Sequence, residues 1–203
     1  MSRRYEAPLP EQTRAVYERG AAAFDATRRR DLTEAAWLVR FLALAPEGPI
    51  LDLGCGAGEP VAGWLLAQGR EVEGVDFAAP MLARARARFP QAVWTLADIR
   101  RLDLGRRFAG IVAWDSFFHL TAEEQRATLP RLAAHLLPGG ALLFTAGPDA
   151  GVAVGAVDGR PVHHASLSPA GYAACLEASG LVARGFLAED PACGRSVWLA
   201  RRR

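Results

Sequence analysis

Between Ile50 and Pro60 the chain reads Ile-Leu-Asp-Leu-Gly-Cys-Gly-Ala-Gly-Glu-Pro: an apolar stretch, then the alternating glycines Gly54, Gly56 and Gly58, then an acid and a proline that can open a helix. Glycine removes the Cβ where a backbone must turn sharply and lets a ligand approach closely. The first turn of a helix adds N–H groups that lack partners of their own. That combination suits a nucleotide-like molecule. About 20 residues further on, Glu71-Val72-Glu73-Gly74-Val75-Asp76 reads as a second strand ending in a carboxylate, and Asp76 can accept both hydroxyls of a ribose. The glycine spacing is G-x-G-x-G, with Glu59 where the dinucleotide fingerprint requires its third glycine, so a pyrophosphate site is the poorer fit. Asp76 alone does not discriminate, because an NAD enzyme carries the same acid.

The run Asp52-Leu53-Gly54-Cys55-Gly56-Ala57, with Gly58, resembles motif I of the class I S-adenosylmethionine-dependent methyltransferases. Val93-Trp94-Thr95-Leu96-Ala97-Asp98-Ile99 is similar to the element of that family whose carboxylate takes the adenine amino group, and Leu136-Leu137-Pro138-Gly139-Gly140 before Ala141 to Thr145 resembles its turn and fifth strand. The resemblance runs from about Tyr17 to the end of the chain. It implies S-adenosylmethionine as cofactor, held by Tyr17, Gly54, Cys55, Gly56, Gly58, Asp76, Phe77, Met81, Ala97, Asp98, Ile99 and Trp114. In that reading Tyr17 covers the methionine carboxylate, Cys55 contributes backbone rather than thiol, and Phe77 and Met81 flank adenine. Core packing is the plain alternative for Tyr17, Phe77 and Met81.

The resemblance also places the segment Trp114-Asp115-Ser116-Phe117-Phe118-His119 beside the transferable methyl group. Histidine suits general-base work because its unperturbed pKa lies near 6.5, so His119 with Asp115 beside it is the candidate catalytic pair. Methyl transfer needs little else: the methyl group is activated by positive sulfur, and the protein orients the acceptor and excludes water. Phe117 and Phe118 can supply a dry wall, with Phe118 and His164 as substrate contacts. Alternatively, His119 caps or packs the next helix and both phenylalanines are core. His163 and His164 sit in an inserted segment that can form a lid or a plain surface hairpin. His119, His164 and Asp115 have the side-chain types of a metal site, but no ligand spacing supports one and no metal is expected.

These residues require a scaffold of alternating strands and helices, the pattern of a parallel sheet covered on both faces. The periodicity predicts amphipathic helices over 10–28 and 31–44, then helix 59–68, strand 71–75, helix 79–88, strands 92–96 and 108–114, helix 122–136 and strand 140–146. An Asp158-Gly159 turn predicts a hairpin within 152–166. Ser168 and Pro169 open a helix over 168–179 that Gly180 stops. Residues 181–187 and 196–201 read as a closing antiparallel pair. The resemblance implies an α/β, Rossmann-like, seven-stranded, mostly parallel sheet of order 3-2-1-4-5-7-6, with the ligand at the carboxyl ends of the strands. The expected organisation is one methyltransferase domain over 1–203, with N-terminal helices in 1–45 and an inserted hairpin or lid in 150–167.

Composition fits this picture. The chain has 203 residues, 51% hydrophobic and 23% charged, which argues against disorder. Cys55, Cys175 and Cys193 form no C-x-x-C pair, so a reduced cytosol is the simplest home. No 18-residue apolar run supports a membrane span. Neither Lys nor Asn occurs, which fits a GC-rich, bacterial coding sequence. Without Asn there is no Asn-Pro-Pro-Tyr motif of nucleic-acid adenine methyltransferases, and no Pro-Cys dipeptide supplies the cytosine-C5 nucleophile. The arginine runs 28–30 and 201–203 lack interleaved aromatics, so they are expected to be solvated and nucleic acid is not an expected partner. The expected activity is methyl transfer to a small molecule, at oxygen, by a monomer or homodimer. A non-catalytic S-adenosylmethionine sensor or scaffold is the alternative.

Overall fold

The computed structural model describes residues 10–203; the part of the 1–45 segment before Pro10 lies outside the described residues. In chain order the helices are α1 (Pro10–Thr27), α2 (Ala35–Leu44), α3 (Val61–Ala67), α4 (Ala79–Arg88), α5 (Ala122–Ala134) and α6 (Pro169–Ala178). The strands are β1 (Ile50–Leu53), β2 (Val72–Asp76), β3 (Val93–Leu96), β4 (Phe108–Ala113), β5 (Leu136–Ala146), β6 (Gly151–Val157), β7 (Arg160–Ser166), β8 (Leu181–Asp190) and β9 (Arg195–Arg202).

Seven strands form one sheet in the order β3-β2-β1-β4-β5-β9-β8, while β6 and β7 pair separately as a hairpin. Setting the hairpin aside, this is the 3-2-1-4-5-7-6 order expected from the sequence. Strands β1 to β5 are parallel to one another, and β9 runs antiparallel to both β5 and β8. Strands β1, β2 and β4 are buried at every position, as a parallel sheet with helices on both faces requires. Leu51, Leu53, Ile111, Leu142 and Phe144 pack on one side with Leu129, Tyr172 and Leu176. Ile50, Val112, Ala141 and Leu143 pack on the other with Trp37, Phe41, Leu65 and Leu82.

Local chemistry sets the element ends. Thr121 and Glu124 close a reciprocal capping box on α5, and Ser168 accepts from the Gly171 amide at the start of α6. The helix expected over 31–44 begins only at Ala35, because Leu32 adopts a left-handed backbone, φ 50°, that no helix interior tolerates. Likewise α3 starts at Val61 rather than at residue 59. The Leu136–Gly140 segment, expected as a turn, is counted within β5, and its pairing with β4 jumps from Phe108–Leu136 to Gly110–Ala141.

The hairpin is anchored to the body of the fold. Gln125 Nε2 donates to the carbonyls of Leu120 and Ala165 at 2.9 and 2.8 Å, and its Oε1 accepts from the Tyr172 hydroxyl at 2.5 Å. On the other side, Val16 of α1 packs with Val157 and Val162, and the Thr13 hydroxyl accepts from the His163 amide at 3.1 Å. Thus α1 and the hairpin, distant in sequence, meet over the carboxyl ends of β1, β2 and β4.

Candidate functional site

At the end of β1 the chain turns away from the sheet, and the Gly54 and Cys55 amides donate to the Val75 carbonyl at 2.7 and 3.1 Å. Gly54 has φ 71°, and a Cβ there would collide with Ser116, whose hydroxyl donates to the Leu53 carbonyl at 2.6 Å. Gly56, φ 54°, is different: a Cβ there would meet no atom within 4 Å. Its amide donates to Asp76 Oδ2 at 2.9 Å, and the Ala78 amide donates to Oδ1 at 2.8 Å. Gly58 and Ala97 do not line the cavity described next. Gly58 leaves room for the Trp94 and Phe89 rings, and Ala97 packs on the core.

Above this loop lies a cavity of about 240 Å³, a size for small molecules rather than polymers. It gathers Tyr17, Gly54, Cys55, Gly56, Asp76, Phe77, Met81, Asp98, Ile99, Trp114, Asp115, Phe118, His119 and His164. One end suits a nucleoside: the open face of Gly56 adjoins the Asp76 carboxylate, and Phe77, Met81 and Ile99 supply apolar walls. Both Asp76 oxygens accept amide hydrogen bonds, and a carboxylate has about four lone-pair sites, so it retains capacity for a diol. The Cys55 thiol points instead toward Gly74.

The acids here differ in charge preference. Burial pushes the Asp76 carboxyl up to about 6. Burial and the neighbouring Asp76 push Asp52, at the end of β1, up to about 7. Asp98 caps the short turn Ile99–Arg101, and the Arg100 guanidinium grips both its oxygens at 2.6 to 3.0 Å while reaching Glu124 at 2.9 Å. Burial opposes ionisation of Asp98, but the arginine outweighs it and holds the carboxyl below its usual range.

His119 is enclosed by three elements. Its Nδ1 lies 2.9 Å from the His163 carbonyl, which can only accept, so Nδ1 carries the proton. The other nitrogen, Nε2, therefore accepts from the Tyr17 hydroxyl at 3.0 Å. Burial pushes the imidazole down to about 4 and the Tyr17 hydroxyl well above its usual value, so His119 is neutral and Tyr17 is protonated at neutral pH.

Asp115 does not orient His119, contrary to the expected pairing. It adopts a left-handed backbone, φ 53°. Its carboxylate accepts from Arg195 Nε at 2.5 Å and Nη2 at 3.1 Å, and from Arg28 Nη1 at 3.0 Å. Burial raises its carboxyl, but the two guanidiniums overcome that and hold it below the usual range. The aromatic pair also divides: Phe118 faces the cavity, whereas Phe117 is fully buried against Phe144 in the core.

Arg28 and Arg30 are not simply solvated. Arg28 holds Asp115, and Arg30 pairs with Asp25 and Glu59. Asp25 also binds Arg88 and Arg84 of α4, and Arg88 reaches the Ala57 carbonyl in the glycine loop at 2.7 Å. In the other run, Arg201 and Arg202 donate to the Gly139 and Leu136 carbonyls. Sequence reasoning missed Asp25 and Arg195 as cavity residues. Arg195 and its partner Asp115 are 80 positions apart, and no motif links them.

Comparison with known proteins converges on one family. Residues 50–140 match the family described as a methyltransferase domain. Over 129 residues, 63% of this chain and 46% of the relative, the chain is 38% identical to dTDP-3-amino-3,6-dideoxy-alpha-D-glucopyranose N,N-dimethyltransferase of Streptomyces fradiae. Over 53% of this chain and 41% of the relative it is 36% identical to trans-aconitate 2-methyltransferase of Delftia acidovorans. The chain thus spans about half the length of the curated relatives it matches. Among solved structures, the CcbJ methyltransferase from Streptomyces caelestis superposes with a TM-score of 0.73 at 24% identity, covering 92% of this chain and 98% of that one. S-adenosylmethionine-bound CalS10, an amino pentose methyltransferase from Micromonospora echinaspora, gives 0.70 at 23% identity over 90% and 95%. These two confirm the fold. The family match begins on β1 and carries the glycine loop and Asp76 through to the start of β5, so residues 50–140 are similar to a methyltransferase domain, in the fold of the class I S-adenosylmethionine-dependent methyltransferases.

Proposed function

We propose that the protein transfers a methyl group from S-adenosylmethionine to an amine nitrogen of a small molecule. The observation that carries the choice of nitrogen is the state of His119. Both its ring nitrogens are engaged within the protein, and burial pushes it down to about 4. An alcohol must shed a proton of high pKa as it reacts, and a base this weak gives little help. An amine in its free-base form already carries the attacking lone pair, so once the nitrogen is deprotonated the transfer itself needs only positioning and exclusion of water. The expectation of oxygen rested on His119 as base and loses that support. The Streptomyces fradiae relative, named for an amino sugar, agrees with nitrogen.

In this reading Asp76 takes the ribose hydroxyls, Phe77, Met81 and Ile99 flank adenine, Asp98 meets its amino group and Tyr17 covers the methionine end. The cofactor, when bound, supplies a methyl group on positive sulfur. The N-terminal helices within 1–45 and the hairpin within 150–167 cover the acceptor, in one methyltransferase domain. No helix among the described residues is long and apolar enough to cross a membrane. The three free cysteines suit a reducing cytosol.

The test is incubation with S-adenosylmethionine and three acceptor classes: nucleotide-linked amino sugars, polycarboxylic acids and polyols, read by mass spectrometry. A methylated amine is the expected product. Methylation of the carboxylic acid alone would move the acceptor to oxygen, in line with the Delftia acidovorans relative. Cofactor binding without any product would favour the sensor alternative.

A further inference from the structure

The cavity contains two imidazoles whose nitrogens are differently occupied. Both nitrogens of His119 are engaged, as described. His164, on β7, lines the same cavity half-buried, and its ring nitrogens make no hydrogen bond with the described residues. Its ring centroid lies 4.5 Å from that of Phe118 and 5.0 Å from that of His119. A Cβ on Gly155 of β6 would overlap the imidazole. The missing side chain at Gly155 leaves room for the ring, which also packs against Phe118.

We propose that His164, not His119, is the imidazole that meets the acceptor amine and takes its proton. The proposal rests on the amine reading above. An aliphatic amine with a pKa of roughly 8 arrives at neutral pH mainly as ammonium, whose nitrogen has no free lone pair. Neutral His164 accepts one proton from R–NH3+, leaving R–NH2 and an imidazolium. The amine lone pair then forms the N–C bond as the C–S bond breaks, with its electron pair leaving on sulfur, and the imidazolium later releases its proton to water. The surroundings fit a neutral resting state. Burial, then His163, then Arg195 lower the proton affinity of His164, while Asp115 opposes them and favours the imidazolium once formed. His119 is neutral and holds its own proton toward His163.

The experiment is the pH–rate profile of amine methylation for the parent, His164→Gln and Gly155→Ala. It is paired with 15N NMR of the histidine rings as a simple amine is added to the S-adenosylhomocysteine complex. His164→Gln should lower kcat by about 10² near pH 7. Its acidic limb should shift up toward the amine's own pKa, with the gap closing in alkaline buffer. Gly155→Ala, which displaces the ring but keeps it, should lose rate with an unchanged melting temperature, and the amine should move the His164 signals in the parent. Unchanged kcat and acidic limb in His164→Gln, or amine-induced shifts confined to His119, would overturn the proposal. If the parent methylates no amine, the amine reading falls first and this proposal with it, a result distinct from an active parent with indifferent variants.

Discussion

The Tyr17 hydroxyl donates to Nε2 of His119 across 3.0 Å, linking α1 to the turn after β4 over 102 residues of sequence. The same imidazole donates from Nδ1 to the His163 carbonyl, so one ring joins the N-terminal helix, the strand-end turn and the hairpin. Such a buried link has a definite pH signature. His119 is pushed down to about 4 from an ordinary 6.5, so the unfolded chain binds its proton more tightly than the folded one. Stability is therefore lost as pH falls from about 6.5 toward about 4, by roughly 3 kcal/mol at most. Asp52 and Asp76, pushed up to about 7 and about 6, act in the opposite sense: the folded chain keeps their protons longer, and their cost grows as pH rises. Urea melts of the parent and His119→Gln at pH 7 and pH 4.5 isolate the histidine. The parent should lose more stability than the variant over that interval.

Gly54 and Gly56 make a sharper contrast. Both have positive φ, so an alanine at either costs about 1 kcal/mol or more in backbone strain. At Gly54 the new methyl also collides with Ser116, whereas at Gly56 it projects into open space. Gly54→Ala should lower stability by several kcal/mol or fail to fold. Gly56→Ala should fold with a modest loss and bind S-adenosylhomocysteine at least tenfold more weakly. Denaturant melts and calorimetry on the two proteins check both halves.

Asp25 is the clamp between α1 and α4, holding Arg30, Arg84 and Arg88 together. Burial raises its carboxyl, but the arginines outweigh it and keep it charged. Asp25→Asn removes the charge that gathers these guanidiniums. The partly exposed arginines limit the global loss to about 1 kcal/mol, while α1 should exchange its amide hydrogens faster than β1 and β4. Uniform exchange across all elements would place the clamp elsewhere.

The sheet order and the glycine loop were legible in the sequence because they depend on local signals. Strand periodicity, Gly54 to Gly58, the Asp158-Gly159 turn and the Ser168-Pro169 start all act within a few residues of themselves. Asp76 was readable because its distance from the loop is set by one strand–helix–strand unit. The electrostatic part was not. The sequence sets Asp115 four positions before His119, but a left-handed backbone turns it toward Arg28 and Arg195. Arginine pairs across 80 positions leave no spacing to read. The contrast between His119 and His164 likewise depends on where α1 lands, which no local pattern encodes.

We propose that the glycine loop and Asp76 hold S-adenosylmethionine rather than a dinucleotide. Isothermal calorimetry of the parent and Asp76→Asn, titrated with S-adenosylhomocysteine and with NAD, tests it most directly. S-adenosylhomocysteine should bind saturably at one site, weakened by about 1 to 3 kcal/mol in the variant, and NAD should not bind. Saturable NAD binding with none of S-adenosylhomocysteine would overturn this assignment.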